Sequence, residues 1–124
     1  MKGMPEAGEI VIASGGGGIP AIRKGNHFKG VGAVIGKDFT GCLLARELNA
    51  DFLIILTAVE QVALHFGTPQ ETWLSRISVK EAKRCVEEGH FAPGPMLPKV
   101  QAGISFAASA PGRAVRITFR YNAA

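Results

Sequence analysis

Apolar and polar positions along this 124-residue chain fall into short blocks, each of a length suited to one strand or one helix. Ile10, Val11 and Ile12 are consecutive and β-branched, so residues 9–14 read as a buried strand. Residues 19–22 and 27–35 look like short extended segments, and polar Arg23-Lys-Gly-Asn26 suits the turn of a hairpin between them. Asp38 is placed to cap a helix over 39–49, where Leu43, Leu44 and Leu48 make one buried face. The run Asp51-Phe-Leu-Ile-Ile-Leu-Thr57 is unbroken and apolar, which predicts a second strand buried on both faces. Strand, helix, strand in that order is the βαβ pattern of a mainly parallel sheet.

Residues 62–66 read as a short strand or an irregular crossing segment, and 67–72 as polar and exposed. Ser78 with Glu81 matches a capping box, opening a helix that reaches Glu88 and stops at Gly89. Four residues, Pro93, Gly94, Pro95 and Pro98, make 90–98 a loop. The next helix is predicted over 99–109 with Pro98 near its first turn. Gly103 falls mid-helix there, at a cost of about 1 kcal/mol relative to Ala. Gly112 closes a turn, and 114–119 form the last strand. No repeat or linker divides the chain, so residues 1–124 are read as a single domain.

Composition narrows the classes. A hydrophobic share of 47% supports a real core, yet the longest apolar run, Phe52 to Leu56, is far too short to span a bilayer. Met1-Lys-Gly-Met-Pro-Glu has no apolar stretch of secretory type, so a cytoplasmic protein with no membrane association is expected. The net charge of +4 is spread along the chain and suits a small anion as well as a nucleic acid. Basic residues do not alternate with aromatic ones and no helix-turn-helix pattern is present, so nucleic acid is not the expected partner. Cys42 and Cys85 are far apart and outside metal-type spacings; Cys42 reads as a buried thiol, and a disulfide is not expected. His27, His65 and His90 are dispersed, and no metal site is expected.

The segment that carries most chemistry is Gly15, Gly16, Gly17 and Gly18, directly after the first apolar run. Residues without side chains let a ligand approach the backbone, and successive N–H groups form an anion-binding concavity. Lys37 stands just before a predicted helix start and Lys99 at another, where an ammonium joins the positive helix end beside an anion. Asp38 orients the two lysines or caps its helix. Phosphoryl transfer asks mainly for such positive charge, backbone donors and placement. Each feature also has a plainer reading: a flexible turn, solvated lysines, an N-cap. The P-loop spacing is absent, and Ile19-Pro20 would not open the helix of a dinucleotide fingerprint. Spacing alone leads to an anion site and no further.

Four segments in order go further. Val11-Ile-Ala-Ser-Gly-Gly-Gly-Gly-Ile-Pro20, Gly36-Lys-Asp-Phe-Thr-Gly41, Leu44-Ala-Arg-Glu-Leu-Asn-Ala-Asp51 and Glu87-Glu-Gly-His-Phe-Ala-Pro-Gly94 strongly resemble carbamate kinase, of the amino acid kinase superfamily. The resemblance covers about 9–115. It implies a three-layer α/β/α sandwich on a mostly parallel sheet, usually in a homodimer. It implies transfer of a phosphoryl group between ATP or ADP and carbamate or carbamoyl phosphate, with Mg2+. Gly15, Gly16, Gly17 and Gly18 would then lie near the transferred phosphate, Lys37 and Lys99 would neutralise it, and Asp38 would position them. Thr57, Ala58 and Met96 would face the nucleotide.

Family members are more than twice this length, so the resemblance is to their C-terminal, nucleotide-side half, and the fold is expected to be truncated. Two loops also differ. Leu56-Thr-Ala-Val-Glu-Gln61 stands where the family usually reads Leu-Thr-Asp-Val-Asp-Gly, so Ala58 lacks a carboxylate and Gln61 a glycine. Gly94-Pro-Met-Leu-Pro-Lys99 stands for Gly-Ser-Met-Gly-Pro-Lys, so Pro95 lacks a donor and Leu97 adds bulk. The expectation is a carbamate kinase-like phosphotransferase incomplete on its own, completed as a homodimer or by a separate N-terminal half. The alternatives are a non-catalytic nucleotide- or phosphate-binding module, or a decayed fragment without ligand.

Overall fold

The computed structural model describes residues 3–91 and 94–119. After a short helix α1 (Gly3–Glu6), strands β1 (Ala21–Lys24) and β2 (His27–Gly30) form an antiparallel hairpin. The polar turn expected there is a two-residue turn, with Gly25 at φ 59°. Helix α2 (Lys37–Glu47) leads into strand β3 (Phe52–Thr57). Strands β4 (Val62–Leu64) and β5 (Thr72–Leu74) make a second antiparallel hairpin, followed by helices α3 (Val79–Glu87) and α4 (Met96–Ala107) and strand β6 (Ala114–Phe119). β6 runs parallel to β3, with Phe52 opposite Ala114 and Thr57 opposite Phe119. The result is α/β, with a parallel pair at its centre.

Two apolar clusters hold these elements. Cys42 of α2, Ile55 of β3, and Ala102 and Phe106 of α4 form the first, with Leu53, Val115 and Ile117 packed against them. Cys85 of α3, Phe91 and Val100 of α4 form the second, with Val62, Leu64, Leu74, Met96 and Leu97 around it. Helix α4 takes part in both. Gly103 explains how it lies so close to β6: a Cβ there would stand 3.2 Å from Val115 Cγ1. The helix penalty of this glycine is offset by close packing.

Several expectations need correction. Residues 9–14 are not a strand: Ile10 and Ile12 are 98% and 97% exposed, because no described strand lies beside them. The parallel partner of β3 is therefore β6. β3 itself is buried on one face only; Phe52, Ile54 and Leu56 stay half exposed. Asp38 does not cap α2; Gly36 holds the N-cap position, and the helix begins two residues earlier than expected. The helix expected over 99–109 spans Met96–Ala107, since Pro98 is tolerated in a first turn whose N–H groups need no helical partner. The strand β5 within Thr72–Leu74 was not foreseen. His65 and His90 are not dispersed; their rings meet edge-on at 4.3 Å, and the His65 N–H donates to the His90 carbonyl. Residues 92–93 of the fourth motif and 1–2 and 120–124 at the ends lie outside the described residues.

The capping box forms as expected. The Glu81 N–H donates to Ser78 Oγ at 3.2 Å and the Ser78 N–H to the Glu81 carboxylate at 3.1 Å. Ser78→Ala is expected to lower stability by about 1 kcal/mol, read from urea unfolding at neutral pH. The Ser78 hydroxyl and N–H hold the Glu81 carboxyl below its ordinary value of 4.5. A lowered carboxyl contributes stability above its unfolded value and loses it as pH falls through the folded one. The gap between wild type and variant should therefore narrow on acidification below the ordinary carboxyl value of 4.5, the pH-independent bond from the Glu81 N–H to Ser78 Oγ keeping the rest.

Candidate functional site

Chain direction gathers the candidate residues at one end of the molecule. α2 passes through 48–51 straight into β3 and runs back along it, so its N-terminus lies at the carboxyl end of that strand. α4 stands in the same relation to β6. Helices of this length reach about 16–18 Å and strands of six residues about 20 Å, so both helix starts share an end with Thr57. In open α/β sheets ligands bind beyond the carboxyl ends of the strands.

The two helix starts are joined by one ion pair. Lys99 Nζ, in the first turn of α4, donates to Asp38 Oδ1 at 2.9 Å and Oδ2 at 3.2 Å. The side chains are 19% and 23% exposed, so the pair is shielded from salt yet open to a ligand. Gly36 and Pro95, at the two N-cap positions, provide no side-chain acceptor. The first-turn N–H groups of each helix consequently keep their positive end free of a capping oxygen. Lys37 is exposed and makes no ion pair among the described residues. Two helix ends and the Lys99 ammonium thus meet at a single carboxylate, with Lys37 exposed in the first turn of α2. That balance favours a bound anion.

The glycine loop is seated against the same helix start. The Gly17 N–H closes a turn on the Ser14 carbonyl at 2.9 Å, with Ser14 at φ 58° and Gly17 at φ 91°. A Cβ on Gly17 would lie 2.7 Å from the Ile35 carbonyl oxygen, and one on Gly18 would lie 3.3 Å from Ile35 Cδ1 and Thr40 Oγ1. Gly17 and Gly18 therefore touch the lead-in and first turn of α2. Gly15 and Gly16 project into open space.

The nucleotide-side candidates are more scattered. Ala58 lines a cavity of about 420 Å³ with Val59, Glu60, Gln61 and Trp73, just beyond Thr57 at the end of β3. Met96 is packed against the second apolar cluster, as is Leu97, whose bulk is thereby absorbed by the core. Among the described residues no group of three or more His, Cys, Asp or Glu is placed to hold a metal ion. No described helix is long and apolar enough to cross a membrane.

Two neighbours of the site went unread in the sequence. Thr40 sits at the junction of glycine loop and helix, its hydroxyl also donating to the Gly36 carbonyl at 3.3 Å. Its place in Gly36-Lys-Asp-Phe-Thr-Gly41, one turn into the helix, was the available signal. Trp73, on the unforeseen β5, walls the cavity beside Ala58 and gives no periodic signal at all.

Residues 1–118 match the amino acid kinase family. The chain belongs to that family. It is 56% identical over 118 residues to the carbamate kinase-like protein YqeA of Escherichia coli K12, which covers 95% of this chain and 38% of YqeA. It is 50% identical over 115 residues to a carbamate kinase of Pyrococcus horikoshii, covering 93% of this chain and 37% of that protein. Among solved structures, a carbamate kinase from Giardia lamblia bound to AMP-PNP superposes with a TM-score of 0.86 at 41% identity. That match covers 95% of this chain and 41% of the Giardia chain. This family chain therefore spans well under half the length of the relatives it matches. Its α/β fold is correspondingly truncated relative to theirs.

Proposed function

We propose that this chain is the nucleotide-side half of a carbamate kinase-type phosphotransferase, holding the phosphates of ADP or ATP. The reading rests on one observation: Lys99 and Asp38 are paired across two helix N-termini, with the glycine loop seated beside them. A terminal phosphate placed there accepts from backbone N–H groups and from Lys37 and Lys99, while Asp38 keeps the Lys99 ammonium aimed. Charge-assisted hydrogen bonds of this kind contribute about 1.5–3 kcal/mol each. In this reading the base or ribose extends past Thr57 and Ala58 toward the cavity that Ala58 and Trp73 line.

Mg2+ belongs to this reading as a companion of the nucleotide. Magnesium is usually held by one or two carboxylates together with substrate phosphates. Asp38 is engaged by Lys99, so the metal would ride chiefly on the phosphate oxygens, neutralising their charge. Carbamate or carbamoyl phosphate is the second substrate by similarity to the named relatives, and the acceptor-side contacts fall to the rest of the fold. Ala58, Gln61 and Pro95 favour a second reading, a nucleotide-binding module without turnover, because each removes a group that the family usually presents to its ligand.

Calorimetry with Mg2+ and ADP on the folded chain is the test. Micromolar affinity is expected, with Lys99→Ala weakening it by roughly tenfold or more, a loss of about 1.4 kcal/mol per factor of ten. Binding without phosphoryl transfer, even when a complementary half is supplied, would select the second reading. A folded chain with no measurable affinity for ADP or ATP would remove both.

A further inference from the structure

The basic residues of this chain are spread along it, but the acids that balance them are not. No aspartate or glutamate falls between Glu9 and Asp38. Residues 10–37 hold Arg23, Lys24, Lys29 and Lys37, a net charge of +4, which is the whole excess of the chain. The other ten basic residues are matched by ten acids. The net charge is therefore concentrated in one segment, the one that contains the glycine loop and ends at the start of α2.

Three of the four charges stand on the β1–β2 hairpin, whose eight strand residues are all exposed. Ile22 pairs with Lys29 and Lys24 with His27, so Lys24, His27 and Lys29 share one face of the ribbon. Arg23 leans on the turn, its Nε donating to the Gly25 carbonyl at 3.0 Å. Among the described residues none of these side chains makes an ion pair. Both legs of the hairpin lead to the candidate phosphate site. The first leaves Gly18 through Ile19 and Pro20, and the Val31 N–H donates back to the Pro20 carbonyl at 3.1 Å. The second reaches α2 through Ile35, which lies against Gly17 and Gly18. Four-residue strands are about 14 Å long, close to the Debye length of about 10 Å at 0.1 M salt. Edge protection and solvation are served by charge of either sign, whereas one sign alone beside an anion site builds a field. We propose that the β1–β2 hairpin is a cationic arm that steers the phosphates of an incoming nucleotide to the glycine loop. It acts on the rate of arrival, not by holding the bound ligand, and it rests on the nucleotide reading above. Fields of one sign raise association rates by about 10–10³-fold at best, an advantage that salt removes.

Stopped-flow mixing of the 124-residue chain with Mg2+ and fluorescent N-methylanthraniloyl ATP is the test. Lys24→Gln with Lys29→Gln is expected to slow association at least threefold at about 10 mM salt, where the Debye length is about 30 Å. Dissociation should keep the wild-type rate, and the difference should vanish by about 0.5 M salt. Lys80→Gln with Lys83→Gln, at exposed positions of α3, removes the same charge elsewhere and should leave association nearly unchanged. Arg23 is left in place to keep the turn; should the hairpin pair fail to fold, Lys29→Gln alone takes its place. Equal slowing by the two pairs would assign the effect to overall charge and overturn the arm. So would faster dissociation with association unchanged, or a single-stranded oligonucleotide bound more tightly than ATP through the same two lysines. In each of these cases ATP still binds and the nucleotide reading stands. A folded wild-type chain that binds no nucleotide removes that reading, and the arm with it.

Discussion

Phe106→Ala is expected to remove most of the stability of this chain. The side chain is fully buried between α4, α2 and the parallel strands, and the Arg113 guanidinium lies 5.2 Å from its ring centre. Truncating a buried phenylalanine costs about 3–5 kcal/mol, the lost transfer energy plus the cavity left behind. Small domains have only about 5–15 kcal/mol in total, and one that leaves a sheet face bare belongs near the bottom of that range. Urea unfolding followed by far-UV circular dichroism should show the midpoint moving far toward zero denaturant. Phe106→Leu, which keeps most of the volume, should cost under about 1.5 kcal/mol. Equal effects of the two variants would mean that the first cluster does not organise the fold.

The second large effect is local. Gly17→Ala should cost binding far more than stability elsewhere in the loop would suggest. At φ 91° an alanine is strained, by about 1–3 kcal/mol. Its methyl group would also press on a backbone oxygen, that of Ile35, which cannot swing aside like a side chain. Relief requires the glycine loop to lift off the start of α2, and the backbone donors then leave the Asp38–Lys99 pair. ADP affinity is expected to fall by tenfold or more, with a fall of several degrees in thermal midpoint. Gly16→Ala is the matched control, since open space surrounds that residue and its φ is not in the left-handed region. Should both variants bind alike, the loop is not part of the site.

Much of this was legible in the chain itself. The capping box at Ser78, the stop at Gly89 and the last strand could be read because their signals are local. A side chain bonds three residues away, or a glycine takes a positive φ. The pairing of Asp38 with Lys99, 61 residues apart, is one of the two readings that the residues leave open for Asp38, and the resemblance is what favours it over the cap. The failures share a cause. Residues 9–14 and the β3 run carry the hydrophobicity of interior strands, and pattern alone does not reveal whether a neighbour is there to cover them. Asp38 was read as a cap because that is what an aspartate before a helix usually does. Its longer-range partner had a stronger claim on the carboxylate. Trp73 and β5 were missed because three residues are too few to show a period.

The two cysteines follow from the two-cluster core. The chain has only Cys42 and Cys85, and each is buried in a different cluster. A thiol reagent can reach either one only when the packing around it opens. Alkylation followed by mass spectrometry therefore times the breathing of α2 against β3 and of α3 against α4 separately, on unlabelled wild-type protein. Phe106→Ala, which loosens the first cluster, should speed the Cys42 clock and leave that of Cys85 nearer its own pace.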